Sequence, residues 1–246
     1  MNDAKLTKRS LKQIRGGVDK LANDMGVKVR FKDEWWLMKL LGFILFFNPR
    51  FMKTVTTTIG NTVAFPTRSF IENDAQYVRV MIHELVHVGD KNKYGALPFG
   101  FLYLVPQIFA VFSLFALGAF WNLEYLYFLI CLLFLAPWPS PGRVWAELRG
   151  YTMTMGYFRW YNGMDLRQEP DWIKERLPFL VQHFTGWGYY RMSWSEKATL
   201  DKLSDRVYKL KARHPFFLEN KVILEIYCIF FPEEREELFK KIGHMF

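Results

Sequence analysis

One pentapeptide in this 246-residue chain has the residue types and spacing of a reaction centre: His83-Glu84-Leu85-Val86-His87. On an α-helix, residues four apart share a face, so both imidazoles can point at one ion. Glu84 is adjacent to the first imidazole, and its carboxylate can reach a metal-bound water rather than the metal. Zinc lowers the pKa of that water towards neutrality, and the glutamate takes its proton as attack occurs. Composition does not generate this pattern by accident: 5 His and 14 Glu in 246 residues predict only about 0.006 occurrences. The neighbours Val80, Met81, Ile82, Leu85, Val86 and Val88 are uncharged, as a buried metal-bearing helix requires.

A catalytic zinc takes three protein ligands and keeps one open position. His87 is followed by Val88, Gly89 and Asp90, not by a third histidine at short range, so the third ligand is distal. Glu147, in the segment RVWAELRGY from Arg143 to Tyr151, is the leading candidate, and His183 is its rival. The oxyanion formed during hydrolysis needs a donor besides the metal. Tyr151 ranks first because it lies four residues after Glu147 on the same helix face; His183, Arg149, Tyr189 and Tyr190 are the others. Asp90 either orients a ligand imidazole or simply ends the helix.

The elements that position these residues are legible in outline. TVTTTIGNTVAFPT (Thr54 to Thr67) holds two β-branched runs around Gly60-Asn61, which predicts a hairpin. Glu72-Asn73-Asp74 predicts the cap of a helix running to about Gly89. Leu97 to Trp121 then carries no charge over 25 residues, and Tyr125 to Gly142 none over 18, with Glu124 between them. They read as two helices joined near Gly118 to Glu124, the first kinked by Pro106, the second ending near Ala136 before Pro137, Pro139 and Pro141. Core helices rarely lack a polar face over such a length, so a membrane hairpin is favoured over a buried soluble one. Helices are further expected over Arg143 to Tyr161, Trp172 to Phe184, Ser195 to Arg213 and Glu233 to Lys241. Thr185 to Trp194 reads as an aromatic loop, and Pro215 to Phe231 as strand or helix.

Composition agrees with two kinds of material in one chain. Apolar residues make up 51% and aromatics 18%, yet the net charge is +9, and the mean hydropathy is −0.03. This excludes a disordered chain, and two cysteines, Cys131 and Cys228, exclude a disulfide scaffold. The N-terminus has no apolar core of a signal peptide. Trp35 to Phe47 is too short to span a bilayer but suits a helix in the membrane interface, or a buried amphipathic one. Residues 1–53 hold 12 Lys+Arg against 5 Asp+Glu. No nucleic-acid motif accompanies them, and an anionic membrane surface accounts for the charge. Lys91, Lys93, Arg143 and Arg149 flank the hairpin, which places both its ends and the catalytic domain on the cytoplasmic side. Trp35, Trp36, Trp121 and Trp138 suit an interfacial belt.

HELVH followed by a distant helical glutamate resembles the gluzincin metallopeptidases. Two apolar helices between the motif and Glu147 resemble, in topology, the membrane gluzincins: the CAAX prenyl-protein proteases and the bacterial heat-shock membrane proteases. The resemblance covers about Thr54 to Tyr161. It implies a zincin-like fold, mainly α with a small β-hairpin or sheet, interrupted by a two-helix membrane hairpin. The regions are then 1–53, basic with an interfacial segment at 35–48; 54–96, hairpin and motif helix; 97–142, membrane hairpin; and 143–246, the third-ligand helix and a helical remainder. It also implies Zn²⁺ held by His83, His87 and Glu147, Glu84 as general base, a role for Tyr151 or His183 in catalysis, and a protein or peptide substrate. The strand TIGNTVAFP would pair with extended substrate by β-augmentation. The competing function is a non-catalytic protein binding anionic lipid, with a structural or vestigial metal.

Overall fold

The computed structural model describes residues 7–46, 48–161, 177–189, 191–211 and 220–242. Its first helix, α1 (Leu11–Asp24), opens on a capping box: the Ser10 side chain accepts from the Gln13 amide while Gln13 returns a bond to Ser10. This satisfies two of the amides that a helix start leaves open. Ile14, Val18 and Ala22, each four residues apart, form its buried stripe. Strand β1 (Lys28–Phe31) follows, then α2 (Trp36–Ile44) and the short α3 (Arg50–Lys53).

The expected hairpin is present as β2 (Thr57–Ile59) and β3 (Thr62–Phe65), turning at Gly60-Asn61. β3 is central: β2 pairs with it antiparallel and β1 pairs parallel, Lys28 opposite Thr62 through Phe31 opposite Phe65. Among the described residues the outer edge of β2 is therefore left unpaired. The hairpin pattern did not reveal β1, because a parallel partner from a distant segment leaves no turn signal between the strands.

α4 (Asp74–Tyr94) carries the motif; the Asn73 side chain caps it by accepting from the Gln76 amide at 3.0 Å. It runs five residues past the expected end at Gly89. That glycine is a packing residue rather than a terminator: a Cβ there would stand 2.6 Å from Val222 Cγ2. The helix stops at Gly95, whose φ of +89° few other residues adopt.

α5 (Ala96–Leu104) begins the apolar stretch, and at Val105-Pro106 the chain turns by 92° into a 3₁₀ segment, Gln107–Phe120. A second 3₁₀ segment, Leu123–Leu135, returns alongside it and ends at Ala136. The break at Pro106 and the end near Ala136 fall where proline chemistry puts them; the 3₁₀ winding has no sequence signature. No single helix among the described residues is long and apolar enough to cross a membrane, but α5 and Gln107–Phe120 together pass that test as a bent pair. The arms pack chiefly on each other and leave a large aromatic and aliphatic surface in the open, with Phe120 and Trp121 at the tip 90% and 86% exposed.

α6 (Pro141–Trp160) starts with Ser140 as cap and Pro141 in its first turn, and is buried along most of its length against α4. α7 (Leu177–Thr185), α8 (Glu196–Lys211), α9 (Lys221–Phe230) and α10 (Arg235–Ile242) complete the described chain. The segment left open between strand and helix is helical where described: Asn220 caps α9 through the Val222 amide. Its remainder, like Trp172 to Arg176, Asn162 to Gly163, Tyr190, and the tail of the Ser195 to Arg213 helix, lies outside the described residues.

The result is a mainly helical fold with a small three-stranded mixed sheet. One continuous core joins α1, β3, α4, α6, α7, α8 and α9 around Met81, Ile82, Leu85 and Met153. α2 sits apart, burying Met38 against Phe51 and Ala64. Its other face is open: Trp36 is 70% exposed and Phe43 79%.

Candidate metal centre

α4 presents His83 and His87 on the side that meets α6, and α6 presents Glu147 back to them. His83 Nε2 lies 3.1 Å from Glu147 Oε2, and His87 Nε2 lies 3.7 Å from Glu147 Oε1. Each residue offers one ligand atom, and the three atoms lie within 4.8 Å of one another. Donors about 2.1 Å from a tetrahedral zinc stand roughly 3.4 Å apart. The two separations, one to each oxygen of the carboxylate, lie on either side of that value, and the three residues could hold one ion. All three residues are buried.

Electrostatics point the same way. Burial by itself pushes the Glu147 carboxyl up, but the hydrogen bond from His83, the charges of both imidazoles and the Tyr103 hydroxyl hold it down to about 2. Burial likewise pushes His83 down, and Glu147, by hydrogen bond and charge, reverses the sign and raises it. Glu147 is therefore held as a carboxylate facing the imidazoles, which would have to be neutral to act as ligands.

Residues around the triad fix its orientation. Tyr103, from α5, donates to Glu147 Oε1 at 2.6 Å. Thr154 Oγ1 lies 3.4 Å from His83 Nδ1. His87 Nδ1 has no hydrogen-bond partner among the described residues. Gly150 lies against the His83 ring: a Cβ there would stand 2.6 Å from Nε2 and 2.7 Å from both Cδ2 and Cε1. Those near-equal distances put the missing methyl over the ring face, so the ring occupies space that only glycine leaves open.

Glu84 points to the other wall. The Thr58 hydroxyl, on edge strand β2, donates to Glu84 Oε2 at 2.7 Å. Lys32, just past the end of β1, is wholly buried beside this wall; its Nζ donates to the Phe51 carbonyl at 2.7 Å and stands 3.8 Å from the Phe51 ring centroid. Burial pushes its amine down to about 7, with the Glu84 charge acting in the opposite direction.

The triad and Glu84 open into a cavity of about 850 Å³, lined by β2 on one side, α4 below and α5, α6 and α7 around the rest. Tyr151 and His183 both line it. The Tyr151 ring packs edge-on against His83, 4.7 Å between centroids, and 5.5 Å from His183. Burial and the neighbouring Glu147 charge raise its phenol well above the usual value, so it stays protonated. His183 Nδ1 donates to the Phe179 carbonyl at 2.9 Å, and its ring packs tilted against Tyr189, 4.2 Å between centroids.

Glu147, the leading candidate for third ligand, joins His83 and His87 in the group of converging atoms, and its rival His183 does not. Other expectations change. Arg149 faces away from the cavity and forms a buried two-bond pair with Asp90, at 3.0 and 2.8 Å, which removes it as an oxyanion donor. Asp90 is thereby neither a support for an imidazole nor a helix end; it also accepts from Asn220 at 2.8 Å and locks α4 to α6 and α9. Arg143 and Arg149, expected as charges flanking the apolar hairpin, are 6% and 3% exposed and internal to the fold.

Sequence reasoning missed Tyr103, Thr58, Thr154 and Gly150. Glycine at 150 and threonine at 154, one and two turns after Glu147 on its helix, carried a faint signal; Tyr103 and Thr58 carried none. No family model, no curated protein and no solved structure matches this chain.

Proposed function

We propose that this protein is a zinc metallopeptidase acting at a membrane surface. The observation that carries the reading is the convergence of His83, His87 and Glu147 at ligand separations, with Glu84 held beside them at the wall of an open groove. Zinc, when bound, would polarise the scissile carbonyl and lower the pKa of a bound water.

The chain's own residues do the rest. Thr58 fixes one oxygen of Glu84, leaving the other to accept a proton from water and hand it to the leaving amine. Tyr103 and Thr154 hold Glu147 and His83 in place, as outer partners of metal ligands do. Tyr151, protonated and lining the cavity, is the leading donor to the oxyanion, with His183 the second. The unpaired edge of β2 supplies backbone groups for an extended peptide.

Membrane attachment is supported by two open apolar faces, that of α2 and that of the hairpin. At about 2.0 Å per residue in 3₁₀ winding, the hairpin arms extend roughly 28 and 26 Å, near the ~30 Å of a bilayer's hydrocarbon. Leu41 and Leu45, in and just after α2, and Leu104 and Leu135 of the hairpin also line the cavity, which supports a site beside the two apolar faces. The chain's net charge of +9 suits an anionic leaflet.

The test is zinc content and peptide-bond cleavage in wild type and Glu84→Gln. One zinc per chain in both, with cleavage only in wild type, is the expected result. Folded protein that takes up no zinc refutes it. Zinc in both with cleavage in neither returns the lipid-binding protein with a structural metal.

A further inference from the structure

The stripe of α4 that carries the histidines continues in both directions. Arg79 is one turn before His83, and Lys91 is one turn after His87; all four line the same cavity. Lys91 is engaged, donating to Asn61 Oδ1. Arg79 is half-buried, its guanidinium carbon 5.7 Å from the centroid of the Phe158 ring. Among the described residues it has no hydrogen bond and no acidic partner.

The acids of the cavity are already committed. Glu84 accepts from Thr58, and Glu147 faces His83, His87 and Tyr103. Arg143 is held by the Tyr103 carbonyl and Gln107. Arg79 is thus a cation in the wall of the groove, off the proposed ligands and without a counter-charge among the described residues, which is the chemistry of an anion site.

Resting on the peptidase reading, we infer that Arg79 is a specificity residue that selects peptides carrying a carboxylate side chain near the scissile bond. The spacing fixes where. Four residues of helix advance about 6 Å, and an extended peptide advances about 3.3 Å per residue. A substrate lying along α4 with its scissile carbonyl at the triad therefore brings a side chain two residues away over Arg79. The planar guanidinium suits two-bond capture of that carboxylate, with the Phe158 ring holding its other face.

The experiment uses zinc-loaded Glu84→Gln protein, which binds without cleaving. The probes are fluorescein-labelled nine-residue peptides of Ala, Leu and Phe, with one Glu walked through each position and a Gln counterpart for each. Fluorescence anisotropy should show a ~10- to 100-fold preference for Glu over Gln at one position. Adding Arg79→Gln should collapse that ratio to about one, and Arg79→Glu should favour Lys at the same position. Equal binding of the Glu and Gln peptides, or a preference that survives Arg79→Gln, overturns the inference while leaving the peptidase reading intact. No binding by any peptide overturns both.

Discussion

Gly150→Ala is the sharpest perturbation of the metal centre, because it touches no ligand atom chemically. The added methyl would stand 2.6 Å from His83 Nε2, where ordinary contact is about 3.5 Å. One of the two must give by about 0.9 Å, against a metal–nitrogen bond of only ~2.1 Å. The ring has little room to yield: it is buried, with Tyr151 edge-on at 4.7 Å and His87 at 4.9 Å between ring centroids. A displacement of that size should weaken zinc binding by roughly 10- to 100-fold, or about 1.4 to 2.7 kcal/mol. Overpacking should also destabilise the zinc-free fold by about 1 to 3 kcal/mol. Zinc affinity by chelator competition, with thermal unfolding of the zinc-free protein, measures both. Gly16→Ala is the control, since a Cβ there meets nothing within 4 Å; it should leave zinc affinity at the wild-type value. Wild-type zinc affinity in Gly150→Ala refutes the placement of His83 Nε2 as a ligand.

Three further outcomes follow from the same geometry. Tyr103→Phe removes the hydroxyl that donates to Glu147 and should lower zinc affinity about 10-fold with little change in melting temperature of the zinc-free protein; calorimetric titration checks it. Arg149→Met leaves the Asp90 charge buried without its guanidinium, so denaturant unfolding should show a loss of about 3 to 5 kcal/mol. Lys32 titrates near 7 in the fold against 10.5 for a free lysine. Between those values the unfolded chain holds more protons, so this residue makes stability rise with pH from about 7 to 10.5. Unfolding of Lys32→Met across that range should show a flatter slope than wild type.

How much of the site could be read in advance depended on how local its determinants are. His83, Glu84 and His87 sit within five residues of one helix, and helical periodicity alone aligns the two imidazoles. The turn at Gly60-Asn61, the Asn73 cap and the proline-marked ends of the apolar arms are local for the same reason. β1 depends on a parallel pairing with β3 more than thirty residues away, and no nearby residue announces it. Gly89 looked like a helix end because glycine commonly is one; whether it ends a helix or admits a neighbour depends on where α9 lies.

The sequence by itself determined the chemistry on offer: two imidazoles on one helix face with a glutamate between them in sequence, an apolar stretch almost without charge, and a basic surplus. Only the tertiary structure decided which distant groups meet them. Packing of α4 on α6 chose Glu147 over His183 and turned Arg149 inward to Asp90. The bend at Val105-Pro106 keeps α5 beside the site, so that Tyr103 from the apolar stretch hydrogen-bonds Glu147. The physical reason is that spacing along a helix fixes only neighbours within a turn or two. Contacts across forty or more residues follow from how whole faces bury against one another.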